Sequence, residues 1–163
     1  MEIAIVGTKS LRIKSKNTSF IVNPEKKIDD PVVILTEKPE SYEPFSDRLV
    51  IDGPGDYETA GVSIRSEKVD LGVSYQFLDE GQKLVVLSSA AAAKSIDMED
   101  ATAVAVFHDA AARESLSQIT CDIVVAIGPE ESLPQDKSNV KNADKINLKR
   151  AEEYKGFIVH LTK

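Results

Sequence analysis

Apolar residues in the first half of the chain recur two apart, mostly with polar residues between them. Leu11 and Ile13, Phe20 and Val22, Val62 and Ile64, and Val73, Tyr75 and Phe77 all follow this spacing. A period of two predicts strands with one face on a core. Turn chemistry separates them, at Lys16-Asn17, at Asp52-Gly53-Pro54-Gly55 and at Asp79-Glu80-Gly81. The last of these joins Val73–Leu78 to Lys83–Leu87 and predicts an antiparallel hairpin.

The second half changes pattern. Leu84–Leu87, Ala103–Phe107 and Ile123–Ile127 are unbroken apolar runs, as expected of strands covered on both faces. Between the last two, Ala112, Leu116 and Ile119 recur at helical spacing behind Asp109, a suitable N-cap. The spacing predicts a helix over Asp109–Ile119 and hence a strand–helix–strand unit. The alanine run Ala90–Ala93 favours helix but is short. From Pro129 to Asp144 the chain is polar and reads as an exposed, mobile loop, before a closing strand over Gly156–Leu161. These elements together predict a β-rich α/β sandwich. The chain has 163 residues and contains no internal repeat or long linker, so one domain over 1–163 is expected.

Composition narrows the chemistry. Two histidines (His108, His160) and one cysteine (Cys121) rule out a zinc finger or an imidazole-built two-metal site. A net charge of −7 argues against nucleic acid as a partner. Lys9, Arg12, Lys14 and Lys16 fall close together, which reads most simply as the solvated face of a strand. A lone cysteine fits a reducing cytoplasm, where this chain is expected. The apolar stretches fall far short of the ~20 residues of a membrane span, so no membrane partner is expected.

There is no Gly-rich phosphate loop, dinucleotide fingerprint or nucleophile elbow. His160 lies inside the terminal strand and reads as a hydrogen-bonded structural residue. His108 ends a buried strand, where sites form in α/β folds, with Asp109 beside it; a satisfied strand-end histidine is the plainer reading. Cys121 has no adjacent base or cationic cluster and reads as packing. Asp52, Asp56 and Glu58 surround the Gly-Pro-Gly turn and offer carboxylates to a hard cation, although acidic turns are ordinarily just solvated.

The stretch Asp52-Gly-Pro-Gly-Asp-Tyr-Glu-Thr-Ala-Gly-Val62 resembles the Gly-Pro-Gly-Glu-Tyr-Glu-x-x-Gly-Val element of the metallo-β-lactamase fold superfamily, in its small, lactonase-like branch of Zn-dependent hydrolases. Ile5–Ile13 is similar to that branch's opening strand pair, Asn23-Pro24 stands where Asp-Pro is usual, and Asp144–Val159 resembles its closing strands. The resemblance implies an αββα sandwich of two mixed sheets, shortened here by loss of helices between the early strands. It also locates the metal ligands, and none is kept. Glu37, Pro39, Ser41 and Tyr42 stand at the His-x-His-x-Asp-His positions, Ser89 at the bridging Asp, Gly128 at the late His and Thr8 at the early one.

The resulting expectation is a non-catalytic domain, a pseudoenzyme, that binds a small ligand or a protein partner with no zinc, no metal and no cofactor. Its pocket is expected to be lined by Thr8, Glu37, Asp52, Asp56, Ser89 and His108, and a homodimer is expected from an exposed sheet face. The alternative is a hydrolase of a small ester, lactone or phosphoester, using a carboxylate-held Mg²⁺ or a metal-free His108/Asp109 pair.

Overall fold

The computed structural model describes residues 1–25, 29–109 and 116–163. Among these residues, fourteen strands form two mixed sheets. The first contains β1 (Glu2–Ile5), β2 (Leu11–Lys14), β3 (Ser19–Val22), β4 (Val32–Ile34), β5 (Leu49–Ile51) and β13 (Lys145–Asn147), in the order β13-β1-β2-β3-β4-β5. The second contains β6 (Gly55–Thr59), β7 (Val62–Val69), β8 (Gly72–Asp79), β9 (Gln82–Leu87), β10 (Ala103–Phe107), β11 (Ile123–Ile127), β12 (Val140–Ala143) and β14 (Phe157–Leu161). Its order is β12-β14-β11-β10-β9-β8-β7-β6.

The core between the sheets collects the period-two residues. Ile3, Leu11, Ile13 and Phe20 from the first sheet meet Ile64, Tyr75, Phe77 and Leu84 from the second. Phe20 and Phe77 bridge the layers edge to face, with ring centroids 5.3 Å apart. The unbroken runs are buried on both faces, as their sequence implies. Their outer side, with Val85, Leu87, Val104, Val106 and Val124, packs under Ala90, Ala92, Ile96, Leu116, Ile119 and Leu133. The predicted hairpin forms, with Asp79 paired to Gln82 and positive φ at both Glu80 and Gly81, the twist that two-residue loops favour.

Two expectations need amending, and a third lies outside what is described. Most of the helix expected over Asp109–Ile119 lies outside the described residues. The segment from Pro129 to Asp144 is not simply an exposed loop. Ser132 and Leu133 are buried in a 3₁₀ turn, and Val140–Ala143 pairs in parallel with β14. Leu133 supplies an apolar anchor to the outer cluster, and a sheet edge accepts polar residues because one face stays in water. Ala90–Lys94 is a 3₁₀ turn, with Ala90 and Ala92 buried. Between β4 and β5 there is only a 3₁₀ turn, Glu43–Phe45.

The sheets are joined by polar contacts at one end. The Val73 N–H donates to the Thr36 carbonyl at 2.7 Å. Gly72, at φ +92, passes so close that a Cβ there would lie 2.2 Å from the same oxygen. The buried Tyr75 hydroxyl donates to Leu35 O at 2.6 Å and lies 3.2 Å from Ile51 O. Replacing Gly72 with alanine adds both a backbone collision and φ strain, and should cost more than about 2 kcal/mol. Phe77→Ala, which opens a cavity between the layers, should cost about 3–5 kcal/mol. Urea unfolding of both variants measures these losses.

Candidate functional site

A cavity of about 620 Å³ opens where the C-terminal ends of β4, β9 and β10 face the early turns of the first sheet. Its floor begins with Asn23, which ends β3 in the left-handed region at φ 49, a conformation that asparagine tolerates. The Asn23 side chain grips Thr36 twice: Oδ1 accepts the Thr36 N–H at 3.0 Å, and Nδ2 donates to Thr36 Oγ1 at 2.9 Å. This clamp fixes the same Thr36 whose carbonyl receives Val73 from the other sheet. On one side the Lys9 N–H donates to Glu25 Oε1 at 2.5 Å. On the opposite rim, Ser88 Oγ donates to Leu71 O, and Leu71 itself is 60% exposed. Ser89 follows, and its Oγ is buried with no hydrogen-bond partner among the described residues.

His108 forms the far wall. It is 5% exposed, and its Nδ1 lies 2.5 Å from Ser132 Oγ. Ser132 Oγ also lies 2.6 Å from Pro129 O, an acceptor, so its single proton goes there and it accepts from His108. The proton of the neutral ring is therefore assigned to Nδ1, which leaves Nε2 a bare lone pair; that atom is buried and has no partner among the described residues. Burial pushes the His108 pKa down from 6.5 to about 4, helped by His160 and opposed by Asp109. His160 lies beside it, with ring centroids 6.5 Å apart, and donates Nε2–H to Gly128 O at 2.9 Å.

The structure brings Glu37, Ser89, His108 and Asp109 together around this cavity. It does not bring Thr8, Asp52 or Asp56 to it. Thr8 yields its place on the lining to Lys9. Asp52 accepts a hydrogen bond from Tyr42 Oη, which holds that phenol above its usual pKa. Asp56 ion-pairs with Arg65 at 3.0 Å beside a separate shallow groove on the second sheet. The Gly-Pro-Gly turn is itself held from within: Gly53 O accepts from Ser66 Oγ at 2.7 Å and Tyr57 Oη at 3.1 Å. The basic cluster is likewise divided, because Arg12 forks onto the buried Asp30 at 2.9 Å. Cys121 packs half-buried against the outer cluster, and burial raises its thiol pKa. Lys9, Asn23, Thr36 and Ser88 are lining residues that sequence reasoning missed.

Solved structures of known proteins share this architecture. A proposed Zn-dependent hydrolase of the metallo-β-lactamase superfamily from Thermotoga maritima superposes with a TM-score of 0.71 at 16% identity, over 99% of this chain and 100% of that one. YhfI from Bacillus subtilis, a metallo-β-lactamase fold protein, gives 0.57 at 9% identity over 99% and 96% of the two chains. A mutant of the β-hydroxylase CmlA gives 0.60 at 8% identity, with 99% of this chain on 52% of that one. The chain has the metallo-β-lactamase fold. No protein-family model and no curated protein matches the sequence.

The donor set does not fit the zinc named for the Thermotoga protein. Among the described residues, no three His, Cys, Asp or Glu side chains gather to hold a metal. At Gly128, where the resemblance places a histidine, a Cβ would lie 2.3 Å from His108 O and 3.1 Å from its Cε1. The His108 carbonyl, with its ring close behind, leaves no room for a side chain at residue 128.

A buried neutral imidazole makes stability depend on pH. The unfolded chain takes a proton on His108 below about 6.5, whereas the folded chain does so only below about 4. Between those values the unfolded state binds more protons, so stability falls as pH drops through that window and this contribution is flat below it. His108→Asn keeps a donor toward Ser132 and removes the titration. Melting temperatures from pH 7 to pH 4 should decline less steeply in that variant than in the parent.

Proposed function

We propose that this chain is a non-catalytic ligand-binding module on a metallo-β-lactamase fold, taking a small molecule in the cavity between Thr36, Ser89 and His108. The observation that carries the reading is the combination of an open polar cavity with a ligand position closed off at Gly128. Concavity favours a small molecule over a protein partner. Hydrolysis on this fold by a metal-activated water would need several convergent donors, and among the described residues those types are not assembled.

A second reading keeps one observation in its favour: His108 lines the cavity, and its Nε2 has no hydrogen-bond partner among the described residues. A metal-free His108/Asp109 pair could then act as a base on an ester or lactone. The pKa of about 4 works against it, since a base so weak draws a proton poorly at neutral pH. The cytoplasm is the proposed compartment, from the single cysteine. Among the described residues, no helix is long and apolar enough to cross a membrane.

Elemental analysis after incubation with excess Zn²⁺ or Mn²⁺ and desalting should find well under one equivalent bound, with no hydrolysis of simple esters, lactones or phosphodiesters. Stoichiometric retention of either metal would overturn the proposal. Ester turnover abolished by His108→Asn would favour the second reading.

A further inference from the structure

Among the described residues the two sheets end in four edge strands, and three of them carry charge. β12 has Lys141, β13 has Lys145, and β6 has Asp56 and Glu58. Charged side chains on an edge discourage a second strand from adding to it. β5, at the other edge of the first sheet, reads Leu49-Val50-Ile51 and has none. Its backbone is presented outward as well. The Leu49 N–H donates to Pro31 O at 3.2 Å, and Ile51 O accepts from the Leu35 N–H at 2.9 Å, so both residues face β4. Successive residues of a strand turn their N–H and C=O to opposite sides, which points both groups of the partly exposed Val50 away from the sheet. Leu49 is 50% exposed and lies on the same face of the strand as Ile51, which is buried in the core.

We propose that β5 pairs antiparallel with β5 of a second copy of this chain, about a two-fold axis through Val50. Such a contact is self-complementary and closes after two copies. Val50 exchanges both of its outward hydrogen bonds with its counterpart. Leu49 comes opposite the partner's Ile51, which extends the apolar inner face across the axis. Just beyond the strand, Arg48 comes opposite the partner's Asp52, so opposite charges meet at both ends of the ladder. Each is already engaged within its own chain, Arg48 with Asp47 at 3.6 Å and Asp52 with Tyr42. Their complementarity therefore sets register more than affinity. The same operation on β6 about Tyr57 would set Asp56 against the partner's Glu58, a like-charge pair, which favours β5 as the contact. A three-residue edge buries little area, so the dimer is weak and reversible, with a dissociation constant of about 10 µM to 1 mM.

Sedimentation equilibrium across that concentration range should show the mass rising from monomer toward dimer. Leu49→Lys, which charges the edge at a half-exposed position, should abolish the rise while moving the melting temperature by less than about 3 °C. Amide exchange followed by NMR locates the contact. The Val50 N–H should exchange more slowly at high concentration, whereas the Leu49 N–H, bonded to Pro31 in either state, should not change. A mass that stays monomeric throughout overturns the proposal. A dimer that survives Leu49→Lys, or one in which Val50 exchange does not slow, overturns this edge as its contact. Should Leu49→Lys fail to fold, Val50 exchange in the parent protein decides alone.

Discussion

The two sheets come closest where Gly72 slides under the Thr36 carbonyl, and the candidate site is built around that contact. A Cβ at residue 72 would sit 2.2 Å from the oxygen, so the approach is open to glycine alone. Once it is made, the Val73 N–H reaches the same carbonyl, and the Tyr75 hydroxyl reaches Leu35 and Ile51 two residues farther along. Thr36 is held from the other side by Asn23. One residue is thus fixed by both sheets, and the cavity opens beside it. Buried backbone carbonyls at strand ends need partners, and here each sheet supplies them to the other.

The opposite wall is set by a different exclusion. A Cβ at residue 128 would lie 2.3 Å from the His108 carbonyl oxygen, so the neighbouring strand end closes that position to a side chain. Beside it, Ser132 and Pro129 fix the tautomer of the buried imidazole. The result is a buried acceptor in place of a coordination site. Nothing in the core depends on that exchange, since the layers are packed by Phe20, Tyr75, Phe77 and their neighbours. A fold held by strand packing can therefore persist after its strand-end chemistry changes.

Much of the architecture was readable from spacing. Period-two stretches became half-buried strands and the Val- and Ile-rich runs became the strands covered on both faces. The turn at Glu80-Gly81 formed as its glycine suggested. The site was read less completely. Glu37, Ser89 and His108 converge because each ends or follows a strand at the same edge of the sandwich. Asp56 does not join them: it alternates with the half-buried Tyr57 along β6 and pairs with Arg65 across the ladder. The acidic Gly-Pro-Gly turn, the most distinctive stretch of the sequence, is held by Ser66 and Tyr57 and serves the fold. Ser132, which decides the state of His108, lies in a polar segment whose few apolar anchors are Leu133, Val140 and Ala143.

What the sequence determined alone was local and compositional: where strands run, which faces are apolar, where turns fall, and that two histidines and one cysteine are all the imidazole and thiol available. Those follow from side-chain period and residue count, which need no partner in space. The tertiary structure decided the rest. Which carboxylates share a cavity, which histidine nitrogen holds the proton and whether a side chain fits at residue 128 are all matters of contact between segments distant in the chain. Hydrogen bonding and steric exclusion act over a few ångströms, so they are settled only when the sheets have closed on one another.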